Sequence, residues 1–137
     1  ELDLPAMDAG GPYDMLIAGN NTITLKDVLI GEVWVASGQS NMAWVMNNST
    51  NVDLKKLMAN SNRAIRFNNV KTNGSQEPQS ETDNNWVKVT PETIGNVSAV
   101  AYSFAETLHD TLNVPIGIIE NALARKTPPP RTSRWRS

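Results

Sequence analysis

The spacing of apolar residues changes along the chain, and each change predicts a different element. The first thirty residues read as β structure: residues 13–18 can form a strand, Gly19-Asn20-Asn21 is a turn sequence, and residues 22–25 alternate with the period of two of a second strand, in the manner of a hairpin. Pro5 and Gly10-Gly11-Pro12 punctuate the approach to it. A two-stranded hairpin is not stable alone, so this one has to pack on something else.

From Gly31 the pattern differs. Val33-Trp34-Val35-Ala36 is an uninterrupted apolar run, as in a strand buried on both faces of a parallel sheet. It leads through Ser37-Gly38 into Gln39-Ser40-Asn41-Met42, where the strand is expected to give way to a helix. A short helix is expected over residues 52–59, with Leu54, Leu57 and Met58 on one face and Thr50 or Asn51 as its cap. Residues 64–70 read as a second strand, the polar stretch 71–85 as a loop, and residues 86–89 as a short extended segment. The clearest element is a helix over 97–112, because apolar residues at 97, 100, 101, 104, 105, 108 and 112 fall on one face. Asn96 is its expected N-cap, and Asn113 followed by Pro115 its stop. Ile116-Gly117-Ile118-Ile119 then makes a third buried strand. Short apolar strands alternating with helices predict an α/β fold, a parallel sheet with right-handed crossovers.

Composition adds exclusions. At 137 residues, 39% hydrophobic and 19% charged, the chain has the size and balance of one globular domain. No run reaches the ~20 apolar residues of a membrane-spanning helix. A net charge of −2 supplies no basic field for nucleic acid or an anionic membrane surface. Zero cysteines exclude disulfides and thiolate chemistry, and with His109 as the single histidine no metal-ligand cluster is apparent, so neither metal nor cofactor is expected. Charge is also unevenly distributed: residues 1–123 carry 7 basic against 14 acidic side chains, and residues 124–137 carry 5 against none. Three consecutive prolines, Pro128 to Pro130, stop helix and central strand alike in that basic tail.

Chemistry concentrates at Ser40. A serine just after a parallel strand lies at the carboxyl end of the sheet, where such folds bind ligands, and the backbone N–H groups of the following turn can stabilise an oxyanion beside it. Gly38 permits a tight turn and close approach of a substrate. Serine is equally a favoured N-cap, so spacing alone leaves both roles open.

The string from Gly31 to Trp44, Gly-Glu-Val-Trp-Val-Ala-Ser-Gly-Gln-Ser-Asn-Met-Ala-Trp, closely resembles the first block of the sialate O-acetylesterase family, a carbohydrate-esterase branch of the SGNH hydrolases. Residues 98–109 and 113–119 resemble the helix and strand that precede that family's second block, and residues 1–30, with Gly10-Gly11-Pro12-Tyr13, are similar to the end of the β-sandwich domain found before the hydrolase domain. The resemblance, over about residues 5–121, implies two parts, residues 1–30 from the end of a preceding β domain and 31–121 as the first half of an SGNH, flavodoxin-like three-layer domain; charge and composition set 122–137 apart as a basic Pro/Arg-rich tail expected to be non-native. The resemblance also implies removal of acetyl groups from carbohydrate hydroxyls, with Ser40 as nucleophile, its own N–H contributing to the oxyanion hole, and Gln39 and Asn41 orienting the turn or lining the pocket. Trp34 is expected in the core, and Trp44 either packs or meets substrate. An acetylated carbohydrate is the implied partner, and a periplasmic or extracellular setting the implied location.

Departures from the family pattern are concentrated after residue 121. A Trp-Gly-Gly-Thr-Pro-like block, whose glycine supplies an oxyanion-hole N–H, is expected there; Ala122-Leu123-Ala124-Arg125-Lys126-Thr127-Pro128 stands in its place without a glycine. The family's Gln-Gly-Glu block and its Asp-x-x-His base and orienting acid have no counterpart. A frame shift or truncated gene model near residue 122 would account for the change in charge and composition, and a start at Glu1 without methionine is expected of a processed or excised piece. Glu106-Thr107-Leu108-His109 imitates an acid-x-x-His spacing, but it falls near the end of the crossover helix, whereas strand-end chemistry is reached from helix starts. The chain alone is therefore expected to lack a base, and a noncatalytic folding or interaction module is the alternative.

Overall fold

The structure, a computed structural model, describes residues 4–49, 63–70, 77 and 84–123. The helix expected over 52–59, most of the loop 71–85 and the basic tail from residue 124 lie outside the described residues. Strands β1 (Gly10–Ala18) and β2 (Thr22–Ile30) form the expected antiparallel hairpin around Gly19–Asn21, with Ile17 opposite Ile23 and Met15 opposite Leu25. Both strands are longer than the alternation indicated.

Past Gly31, β3 (Glu32–Gly38), β4 (Ile65–Asn69), β5 (Val87–Lys88) and β6 (Ile116–Ala122) build one sheet in the order β3-β6-β4-β5. The first three of these are mutually parallel, and β5 joins β4 antiparallel. Gly31 is needed where the chain enters β3, because any side chain there would collide with the Pro115 carbonyl. Among the described residues one helix, α1 (Ala99–Leu112), covers a face of the sheet. Ala101 and Ala105 let it approach closely, and with Tyr102 they bury Ile65 and Phe67 of β4 and Ile116 and Ile118 of β6.

The boundaries of α1 correct one expectation. Ser98, not Asn96, is the N-cap: its hydroxyl accepts the Ala101 N–H, while residues 94–96 are used in a 3-10 turn. The stop is as expected, with Asn113 left-handed at φ 54° and its N–H donated to the His109 carbonyl.

A second correction concerns β3. Among the described residues the expected doubly buried strand is the sheet's edge, with Val33 and Val35 60% and 68% exposed. Trp34 reaches Phe104 of α1 edge-on, ring centroids 5.4 Å apart, so the two valines point to the opposite face. An apolar run reports what its side chains require; among the described residues β3 is paired by β6 alone, and of its faces only the one bearing Trp34 meets α1.

Candidate functional site

Gly38 ends β3 in register with Ala122 of β6, and its carbonyl accepts the Leu123 N–H at 3.0 Å. The sheet thus holds the last residue before Gln39 from the β6 side. β6 runs through Ala122, one residue into the stretch assigned to the tail. The next residues do not begin the expected helix but make a single turn: Ala43 N–H donates to the Gln39 carbonyl at 2.9 Å and Trp44 N–H to the Asn41 carbonyl at 3.3 Å. A helix would need the following residues to continue it. Instead Val45 pairs with Ser98 and Met46–Asn48 form a 3-10 turn, which draws the chain across to the start of α1.

Ser40 sits at the head of this turn and is exposed, at the carboxyl end of β3. Gln39 and Asn41 flank it, exposed as well, and their backbone carbonyls accept the bonds that close the turn. Gly38 has no room for a larger residue without displacement, since a Cβ there would lie 3.0 Å from Met42 Cβ. Trp44, about half exposed, stands one turn beyond Ser40.

His109 is remote from this arrangement. It lies in the last turn of α1, which leads within a few residues to the start of β6, the end of the sheet opposite to Ser40. Its Nδ1 is 3.5 Å from Asp110 Oδ1, and Glu106 is paired not with it but with Arg63 at 3.0 Å. Arg63 also grips Asp110 through two bonds of 2.7 and 2.8 Å. The guanidinium holds the Asp110 carboxyl below the usual carboxylate range, and the carboxylate in turn raises the arginine. This cluster ties α1 to the entrance of β4. A cleft of about 490 Å³ between the hairpin and the sheet, lined by Val33, Arg66 and Trp86, is likewise at the starting ends of β3 and β6. Arg66 is held there by Asp27 at 2.7 Å.

Two residues near the turn escaped the sequence reading. Ser98 and Glu120 are the buried polar residues among those described, at 0% and 4% exposure. Glu120 Oε2 accepts the Ser98 N–H at 3.3 Å, and Ser98 Oγ lies 3.6 Å from Met42 Sδ. Burial pushes the Glu120 carboxyl above the usual range, with the Ser98 N–H opposing the shift. The signal was present: Ile116, Ile118 and Glu120 share one face of β6, so extending the alternation by two places puts a carboxyl on the core face.

No family model matches the chain. The described residues nevertheless form a mixed α/β structure that superimposes on a carbohydrate acetylesterase from Xanthomonas citri with a TM-score of 0.81, at 34% identity, covering 88% of this chain and 28% of that one. Among curated proteins it is 31% identical to the sialate O-acetylesterase of Mus musculus, over 87% of this chain and 24% of that protein. It is 33% identical to the sialate O-acetylesterase of Homo sapiens, over 87% of this chain and 25% of that protein. The resemblance to sialate O-acetylesterases read from the residues is therefore sustained along most of the chain, which spans about a quarter of the length of the curated relatives it matches.

Proposed function

We propose that this chain is the nucleophile-bearing segment of an esterase that removes O-acetyl groups from carbohydrates such as sialic acid, with Ser40 as the nucleophile. The observation that supports this best is the placement of Ser40, exposed on a closed turn at the carboxyl end of a parallel strand. Ser40 Oγ attacks the acetyl carbonyl carbon, the sugar hydroxyl leaves with a proton, and water then releases acetate from the acetyl-serine. The Ser40 N–H contributes to binding the oxyanion, and Gln39 and Asn41 keep the turn in shape or line the pocket. A base must take the serine proton, and His109 is at the wrong end of the sheet. The isolated chain accordingly hydrolyses esters at near-background rates.

The test is a transplant. Residues 5–121 replace the matching segment of the Xanthomonas citri carbohydrate acetylesterase, and release of acetate from acetylated sugars is followed. An active chimera that loses about a thousandfold or more on Ser40→Ala supports the assignment. A folded chimera that is inactive, or whose rate ignores Ser40→Ala, overturns it. A second reading, a noncatalytic module that pairs with another chain, is favoured by the open edge of β3. A substantial p-nitrophenyl acetate rate in the isolated chain that disappears in Ser40→Ala would exclude that reading.

A further inference from the structure

The buried carboxyl of Glu120 has no part in the chemistry just outlined, and its position raises the question of what holds it inside the fold. Helix α1 provides one half of the answer. A serine N-cap is commonly matched by an acidic residue three places on, which accepts the N-cap's own N–H. Here that place is taken by Ala101, and no acidic residue occupies the first turn of α1. Glu120 supplies the missing acceptor from the neighbouring strand, through the 3.3 Å bond to the Ser98 N–H.

The other half lies on the Ser40 side. Ser98 Oγ accepts the Ala101 N–H at 3.2 Å and turns its own hydrogen towards Met42 Sδ at 3.6 Å. Backbone bonds fasten the same two segments together: Met46 N–H donates to the Val97 carbonyl at 2.9 Å, and Ala99 N–H to the Trp44 carbonyl at 2.8 Å. The turn carrying Ser40 is therefore fixed at one end by β6 through Gly38 and at the other by the segment 97–99 that Glu120 anchors. Met42 lies between the two anchors, against Gly38.

We propose that Glu120 is a positioning residue for Ser40, setting the geometry of the Gln39–Trp44 turn through the Ser98 amide, the Ser98 hydroxyl and Met42. This rests on Ser40 as the functional serine, but it concerns geometry alone and is tested without turnover. Among the described residues the carboxyl faces no competing charge from its neighbours: Ala36 and Asn69 flank it across β3 and β4, the first turn of α1 has no acidic residue, and residues 39–44 contain no titratable side chain.

The experiment is a pH titration of the ¹⁵N-labelled whole chain by NMR, following the amides of Ser98 and of residues 39–44. The expected result is one shared midpoint, above the ordinary glutamate range, at Ser98 and throughout the turn. Glu120→Gln removes that transition from both places. Met42→Leu, close in volume, keeps it at Ser98 and diminishes it in the turn. Titration at Ser98 with an unresponsive Ser40 turn would reduce Glu120 to a helix cap and overturn the proposal. So would a turn transition that persists in Glu120→Gln, or the absence of any transition at Ser98. Should Glu120→Gln fail to fold, the wild-type chain and Met42→Leu still decide. Failure of Ser40 as a nucleophile in the chimera leaves this outcome untouched, so the two ideas fail separately.

Discussion

The two flanks of the main sheet are built from similar residues and have opposite fates. On the β4 flank Ile65, Phe67 and Val89 are at most 2% exposed, enclosed by β5, by α1 and by the 3-10 turn at residues 94–96. On the β3 flank Val33 and Val35 face outward, and across the sheet Phe104, with Val100 a turn before it, leaves the apolar stripe of α1 about half exposed. The residues do not differ in kind; the elements that cover them do. Hydrophobicity along a chain shows which surfaces require cover, and only tertiary structure shows which of them receive it.

The sharpest test of that contrast pairs one substitution from the buried centre with one from the open flank. Ile118→Ala, at 0% exposure, should cost about 3 kcal/mol in urea unfolding, because it leaves a cavity between β6 and α1. Val35→Ala should stay within about 0.5 kcal/mol. Equal losses at the two sites would break the comparison. Between these extremes, Ser98→Ala should cost about 1 kcal/mol through the lost cap.

The two perturbed carboxyls tilt stability in opposite directions with pH. Asp110 is lowered in the fold by Arg63, so its contribution is present above the ordinary aspartate range and disappears as pH falls through the lowered value. Asp110→Asn should therefore lower Tm at neutral pH and converge on the wild type in acid. Glu120 is raised by burial, so its contribution is full below the ordinary glutamate range and fades as pH rises through the raised value. Glu120→Gln should match the wild type in acid and become the more stable of the two towards neutrality. The smallest effect on stability belongs to Val35→Lys, which should leave Tm unchanged while reducing self-association in sedimentation runs, since a charge on an open strand edge discourages pairing. An unaltered association state would show that the β3 edge is not the sticky surface.

Much of this was legible in the residues. The hairpin, the three parallel strands and α1 with its Asn113 stop follow from period and turn chemistry, and the Gly31–Trp44 string marked Ser40. Three features escaped for physical reasons. The edge position of β3 depends on strand order, which apolar runs do not encode. The single turn after Ser40 depends on the pairing of Val45 with Ser98, more than fifty positions away. The N-cap went to Ser98 because residues 94–96 were drawn into a 3-10 turn, a tertiary choice that helix propensity does not contain.

The pairing of β3 with β6 also has a temporal side. Among the described residues, 32–38 have a single strand partner, residues 116–122. On a ribosome, where residues emerge in order, the hairpin can close as soon as its own two strands are out, but the strand leading to Ser40 waits for residues 116–122. Throughout that interval the backbone groups of residues 32–38 lack the β6 partner. Ser40 is thus made well before the strand that fixes its approach.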